Sequence, residues 1–319
     1  MIVVIGEALV DLIGRGGSKY EAVVGGANAN VALALAVRGE DQAFLGRISK
    51  DGFGQLIRNH LSANGVNLKY AVEAEEQTSL AVATIDESGV ATYSFYLNGT
   101  ADWGWQEHEF LSQVRLRELN VSAIQFGCLG MAIEPGSKKI LDWLKGIHSQ
   151  NEITLSHDLN IRPALGFERE VELKRVLEIN EISHIIKASD ADVEWLYGTS
   201  DEQKLEAIYH EWSRGKLLVI TRGGEGVSLY QNQKRTDVPG FVANIEDTVG
   251  AGDTFMANFL AELVKLEALG HNPNKRIENL SLDNLTYAAR FANAAAALVC
   301  EKVGCQPPKI EAVMERLRG

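Results

Sequence analysis

The sequence is poor in cysteine, with three in 319 residues. Cys128, Cys300 and Cys305 form no CxxC pair and their number is odd, which argues against a disulfide framework or a zinc knuckle. They read as small core residues. Basic charge is also short: 31 Lys and Arg against 43 Asp and Glu leave a net charge of −12. That balance argues against a nucleic-acid groove or an anionic membrane surface as partner. No apolar run approaches the roughly 20 residues of a bilayer span. Met1-Ile2-Val3-Val4-Ile5 is apolar but has neither a basic start nor a small-residue cleavage site, so no signal peptide is expected and a cytoplasmic location is the default.

What is present is globular. Apolar residues make up 45% and charged residues 23% of the chain, enough for one large α/β domain or two smaller ones. Short apolar runs at Ile2–Ile5, Ala123–Phe126, Ile153–Leu155, His184–Ile186 and Leu217–Ile220 read as buried strands. Helical patterns lie between them, at Ala29–Val37 and Phe53–Asn64 among others, with Thr254–Leu266 and Asn284–Cys300 near the end. Repeated β–α units predict a mostly parallel sheet with helices on both faces. Residues 11–25 and 77–100 break the alternation and look extended. Leu80–Ile85 and Ala91–Tyr96 flank Asp86-Glu87-Ser88-Gly89 as a hairpin. No repeat or linker divides the chain, so a single domain over 1–319 is expected, with those two segments inserted as a small β lid.

Gly250-Ala251-Gly252-Asp253 precedes the Thr254–Leu266 pattern. The first N–H groups of a helix lack internal partners and its dipole is positive there, which makes an anion site. Glycine lets backbone approach a phosphate, and Asp253 could accept a proton from an attacking hydroxyl. An ordinary acidic first turn would look the same.

Two motifs together narrow this. Asp247-Thr248-Val249-Gly250-Ala251-Gly252-Asp253-Thr254-Phe255 resembles the C-terminal signature of the ribokinase-like (phosphofructokinase-B) carbohydrate kinases. Gly25-Gly26-Ala27-Asn28-Ala29-Asn30-Val31-Ala32 resembles their N-terminal Gly-Gly motif, following Gly6-Glu7 and Asp11. The resemblance runs from Met1 to Pro308 and is strongest to fructokinases, although Asn28 stands where those often have proline. It implies a three-layer α/β/α core with a mostly parallel sheet and a β-sheet lid, transferring the ATP γ-phosphate to a primary hydroxyl of a sugar. Asp253 matches the catalytic base, and Gly250, Ala251 and Gly252 match the anion hole. The Walker A and protein-kinase motifs are absent.

For the sugar, the resemblance implies Asp11, Gly25, Gly26 and Asn30, with Asp253 at the reacting hydroxyl. Carboxylates and amides suit neighbouring hydroxyls. Asp158-Leu159-Asn160-Ile161-Arg162 resembles the family's Asp-x-Asn-x-Arg segment, and Arg162 could reach ATP phosphates or an acidic sugar. Tyr93–Asp102, Trp103 and Trp105 suit either a lid over a sugar face or the core. For the nucleotide, Lys187 and Ser189 lie in a variant of the Asn-x-x-Glu segment, where Asp192 and Glu194 would orient Mg2+ through water. Thr221-Arg222-Gly223-Gly224-Glu225-Gly226 lies between two apparent strands, which excludes a dinucleotide fingerprint; Thr221, Gly223 and Gly226 match ATP contacts, as does Asn293. Carbonyls near Asp247, Val249 and Gly304 could bind a monovalent cation such as K+.

Fructose, phosphorylated at O6, is the expected substrate. 2-Keto-3-deoxygluconate, ribose or a nucleoside are alternatives; an acidic sugar would want an arginine, for which Arg162, Arg47 and Arg15 are candidates. A catalytically silent sugar-binding regulator is the reading from another class, opposed by Asp253 and its glycines. Edges of the lid strands could pair two subunits into a homodimer.

Overall fold

Strand β1 (Ile2–Ile5) is buried along its whole length: Ile2 and Val4 join one apolar cluster, Val3 and Ile5 another. Successive side chains of a strand point to opposite faces, so four consecutive apolar residues need cover on both sides. In the computed structural model, which describes residues 1–14, 18–85 and 91–319, that cover is helical and encloses an eight-stranded sheet.

Along the chain follow β2 (Leu9–Gly14), β3 (Tyr20–Gly25), α1 (Ala27–Arg38), β4 (Gln42–Leu45), β5 (Arg47–Ser49), α2 (Gly52–Ala63), β6 (Val72–Ala74), β7 (Leu80–Ile85), β8 (Ala91–Tyr96), α3 (Gln113–Glu118), β9 (Ala123–Gly127) and α4 (Gly136–His148). The second half adds β10 (Thr154–Asp158), α5 (Arg169–Ile182), β11 (Ile185–Ser189), α6 (Asp190–Tyr197), α7 (Glu202–Trp212), β12 (Leu217–Thr221), β13 (Gly226–Gln231), β14 (Lys234–Pro239), α8 (Ala251–Lys265), α9 (Pro273–Glu278), α10 (Leu282–Cys300) and α11 (Ile310–Arg318).

The main sheet runs β14-β13-β12-β11-β10-β9-β1-β4, parallel from β4 to β12, with β13 and β14 antiparallel at one edge. On one face α1, α8 and α10 contribute Leu35, Phe259 and Ala288 to one apolar cluster that runs from Ile2 and Val4 of β1 to Val227 and Leu229 of β13. On the other, α4 and α5 pack Leu144 and Ile179 over Val3 and Ile5, while α6 and α7 continue the layer with Val193 and Leu205 over Leu218 and Ile220. The expected three-layer α/β core is what forms. Parallel strands all end on the same side, so Gly6, Gly127, Asp158, Ser189 and Thr221 share the C-terminal edge of the sheet.

A second sheet, β3-β2-β7-β8, is drawn from the two segments that broke the alternation, and β2 leaves β1 through Gly6–Ala8. The expected hairpin turn at 86–89 lies outside the described residues, as does Arg15. A third, two-stranded sheet pairs β5 with β6.

Three boundaries differ from expectation for identifiable reasons. Strands β10 and β11 run on to Asp158 and Ser189, beyond the predicted ends at Leu155 and Ile186. Polar residues mask the pattern there, yet Asp158 and Lys187 are register partners and satisfy one another. Helix α8 begins at Ala251 rather than Thr254, because Gly250 takes a left-handed conformation (φ 78°) and turns the chain into the helix early. Of the cysteines, only Cys128 is fully buried; Cys300 and Cys305 are half-buried. Among the described residues no helix is long and apolar enough to cross a membrane.

Candidate active site

The first turn of α8 is held from behind. Phe255, Met256, Phe259, Leu260 and Leu263 are at most 2% exposed. At roughly 1.5–3 kcal/mol for each side chain of this size, their burial fixes the helix axis and therefore where its N-terminus points. Thr254 N–H donates to Gly250 O at 2.8 Å and Ala251 N–H to Thr248 O at 3.2 Å. Gly252 and Asp253 N–H have no acceptor among the described residues. They are the free donors of this helix end. Gly250 cannot be replaced by a residue with a side chain without strain: its φ is positive, and a Cβ there would run into the Cys305 sulfur.

Asp253 is buried beside these donors. Its Oδ2 accepts from Asn30 Nδ2 at 2.8 Å, across 223 positions of sequence. Burial pushes its carboxyl up to about 7, with Asp158 adding to the rise and Asn30, Lys187 and Arg162 opposing it. A carboxylate poised there is half-ionised near neutrality, where an acceptor of a hydroxyl proton works best.

Lys187, projecting from β11, is buried and donates to both oxygens of Asp158 at 2.8 and 2.9 Å. Burial disfavours its charge, but Asp158, Asp192 and Asp253 outweigh that and hold its pKa above the ordinary lysine value. A Cβ on Gly252 would lie 3.2 Å from the Lys187 ammonium. The ammonium therefore stands close to the backbone of Gly252 in the first turn of α8, and glycine at 252 is what lets it come so near.

Asp11 lies in β2, within the segment over residues 11–25 expected to be extended. Burial raises its carboxyl to about 6, opposed by Arg162. Gly25 is its close neighbour across the β2–β3 pair: any side chain there would collide with the Asp11 carboxylate. Gly26 follows with φ 105° and caps α1. Arg162, in the segment after β10, is exposed and its guanidinium makes no hydrogen bond or ion pair among the described residues. Its charge lowers the pKa of Asp11, Asp158 and Asp253 together, so it faces the same space as all three. Arg47 is different. It is buried and bound to Glu76, Glu109 and the Ala101 carbonyl, leaving nothing for a ligand. Trp103 and Trp105 are likewise core residues, at 2% and 0% exposure.

The remaining candidates line the same sheet edge. Ser189 caps α6 in a reciprocal pair: its Oγ accepts from Asp192 N at 3.0 Å and its N–H donates to Asp192 Oδ2 at 2.8 Å. Asp192 Oδ1 accepts from Ile161 N at 2.9 Å, so both its oxygens are engaged by backbone. Glu194 is half-buried and its carboxylate has no hydrogen bond or ion pair among the described residues. Thr221 ends β12, and the turn Gly223–Glu225 is closed by Arg222 N–H donating to Gly226 O at 2.8 Å. Asn293 ties α10 to the end of β14 through the Val238 and Pro239 carbonyls. Asp247 brings its two partners together: Oδ1 accepts from Val249 N at 3.1 Å and Oδ2 from Gly304 N at 2.8 Å. Among the described residues no group of three His, Cys, Asp or Glu side chains is placed to hold a metal ion directly.

Sequence reasoning passed over Glu7. It is fully buried and accepts from Ala27 N and Asn28 Nδ2, each at 2.9 Å, and from Gly130 N at 3.0 Å. Asn28 also donates to the Gly127 carbonyl at 3.1 Å, so its amide clamps the start of α1 to the end of β9. The only signal was an acid placed directly after a buried strand.

The chain resembles known proteins along nearly its whole length. A family model described as pfkB family carbohydrate kinase matches residues 1–312. The chain is 30% identical over 318 residues to fructokinase-2 of Oryza sativa subsp. japonica, covering 96% of this chain and 90% of that one. It is 32% identical over 270 residues to a fructokinase of Rhizobium leguminosarum bv. trifolii, covering 82% and 79%. Among solved structures, the fructokinase of Xylella fastidiosa with bound ATP superposes with a TM-score of 0.88 at 23% identity, covering 99% and 98% of the two chains.

Proposed function

The chain belongs to the pfkB family of carbohydrate kinases, and within that family we propose that it transfers the γ-phosphoryl group of ATP to a primary hydroxyl of fructose, giving fructose 6-phosphate. The observation that carries this reading is Asp253, a buried carboxylate titrating at about 7 beside the free N–H groups of α8 and the Lys187 ammonium. The two curated relatives named above are both fructokinases, which supports the choice of sugar.

Each group then has a task. Asp11 and Asn30 hold sugar hydroxyls, and Asn30 also keeps one oxygen of Asp253 engaged so that the other faces the reacting hydroxyl. Asp253 takes the hydroxyl proton as the sugar oxygen attacks the γ-phosphorus, and ADP leaves. Charge on the transferring group meets Gly252 N–H, Asp253 N–H and Lys187, donors already in place before the reaction. Thr221, Gly223, Gly226 and Asn293 border the nucleotide. Mg2+ would draw charge from the phosphates when bound, and Asp192 and Glu194 would hold it through its waters. Glu194 offers a free carboxylate, and Asp192 has lone pairs to spare beyond its two N–H bonds. K+ would be held by backbone carbonyls near Asp247, Val249 and Gly304, which the Asp247 carboxylate ties together.

Because Asp253 must be ionised to act, kcat/KM is expected to fall about tenfold per pH unit below about 7 and to level off above it. A profile flat from pH 5 to 8 removes Asp253 from the role of base. Sugar identity is tested by ADP release with a panel of purified sugars. Fructose should exceed ribose and 2-keto-3-deoxygluconate by at least about tenfold in kcat/KM, the discrimination open to a site that hydrogen-bonds its substrate. The unpaired Arg162 favours one second reading, an acidic sugar such as 2-keto-3-deoxygluconate, and the same panel reports it.

A further inference from the structure

Asp102 takes no part in the reaction just described, yet it is a buried carboxylate, 2% exposed, at the junction of lid and core. Its Oδ1 accepts the Ala8 N–H at 2.9 Å, one residue before β2 begins. Its Oδ2 accepts the Ser79 hydroxyl at 2.5 Å, one residue before β7 begins. Ser79 Oγ also lies 2.6 Å from Thr100 Oγ1, and Thr100 Oγ1 is 3.0 Å from the carbonyl of Leu97, the residue that leaves β8. Val10 N–H donates to the Ser79 carbonyl at 3.1 Å, closing the circle from β2 to β7. Two of the four roots of the lid sheet therefore meet at one side chain, and a third, after β8, joins it through Ser79 and Thr100. The fourth, after β3, is held by Glu7 through Ala27 N–H and Asn28.

Packing alone gives no reason for this residue. Asp102 and Glu7 are both buried and their charges repel, so the carboxylate carries a cost that its bonds to Ala8 and Ser79 must offset. What the carboxylate supplies is geometry. Asp11 follows Ala8 by three positions in the same strand, about 10 Å at 3.3 Å per residue, so a shift at the root is carried to the sugar.

We propose that Asp102 is a positioning residue for the sugar: by gathering two roots of the lid sheet at one buried carboxylate, it sets where Asp11 stands relative to Asp253. This rests on the reading of the site as a sugar kinase, and one readout is independent of it.

The test compares Asp102→Ala, Asp102→Asn and Ser79→Ala in the full chain. Asp102→Ala should raise the KM for sugar by about tenfold or more, while kcat and the KM for ATP stay within about twofold. Without any sugar present, amides of β2, β3, β7 and β8 should exchange about tenfold faster, and those of β1 and β9 at the wild-type rate. Asp102→Asn keeps an acceptor for Ala8 N–H and should recover most of both losses. If Asp102→Ala does not fold, Ser79→Ala decides, with the same split at about threefold. The proposal is overturned if the folded variant leaves lid exchange unchanged, or if both KM values and core exchange rise together, which is the mark of general destabilisation. A wild-type protein that phosphorylates no sugar in the panel would sink the kinase reading instead, while the exchange experiment without sugar would still report on Asp102.

Discussion

Asp253→Asn should lose at least 10²-fold in kcat, the lower end of what a positioned general base contributes, while the affinity for ATP changes by no more than a few-fold. The same substitution should make the protein more stable at pH 8. In the fold Asp253 titrates at about 7, against 3.8 for a free aspartate. Between those values the folded state keeps a proton that the unfolded chain has released, so stability falls as pH rises through that window. Above pH 7 the buried negative charge costs on the order of 4 kcal/mol at most. An asparagine of the same shape carries no charge and can still accept from Asn30 Nδ2. The melting temperature of the variant should therefore exceed wild type at pH 8, with the gap narrowing toward pH 5. Kinetics and calorimetry together check this. Turnover within about tenfold of wild type, or a variant less stable at pH 8 than at pH 5 relative to wild type, contradicts the role assigned to Asp253.

That trade between stability and chemistry was only half visible in the sequence. The helix N-terminus with its acid could be read locally, since Gly250, Gly252 and Asp253 are adjacent and their backbone consequences follow from residue type. The turn at Gly25-Gly26 was legible for the same reason. The layered core followed from short apolar runs separated by helical periods. Pairings were not legible. Asn30 reaches Asp253 only because α1 and α8 lie side by side on one face of the sheet. Lys187 reaches Asp158 only because β10 and β11 are neighbours in a register that sets those two residues opposite. Neither fact is encoded in any window of a dozen residues. Polar residues at strand ends also hid the ends themselves, because a buried Ser156, His157 or Lys187 looks like a loop until its partner is known. Glu7 and Asp102 escaped for a related reason: a carboxylate that accepts only from distant backbone and side chains leaves no local pattern.

Lys187→Met separates the two roles that the same ammonium can have. Removing one partner of a buried pair leaves Asp158 uncompensated and should cost about 3–5 kcal/mol of stability, read as a lowered denaturation midpoint. Lys187 also holds the Asp253 carboxyl down against burial, so in the variant the acid limb of the pH–rate profile should move to higher pH. Turnover should drop by 10² or more, the loss seen when a donor aimed at developing charge is deleted. Stability and activity fall together in this variant and do not by themselves say why. The double variant Lys187→Met with Asp158→Leu does. Replacing a buried ion pair by apolar residues of similar size is often neutral or stabilising, so the denaturation midpoint should return to near wild type. If Lys187 acts on the phosphoryl group, turnover stays at the level of the single variant despite the restored fold. If turnover returns with stability, Lys187 serves only as the counter-charge of Asp158, and the anion site consists of the Gly252 and Asp253 N–H groups alone.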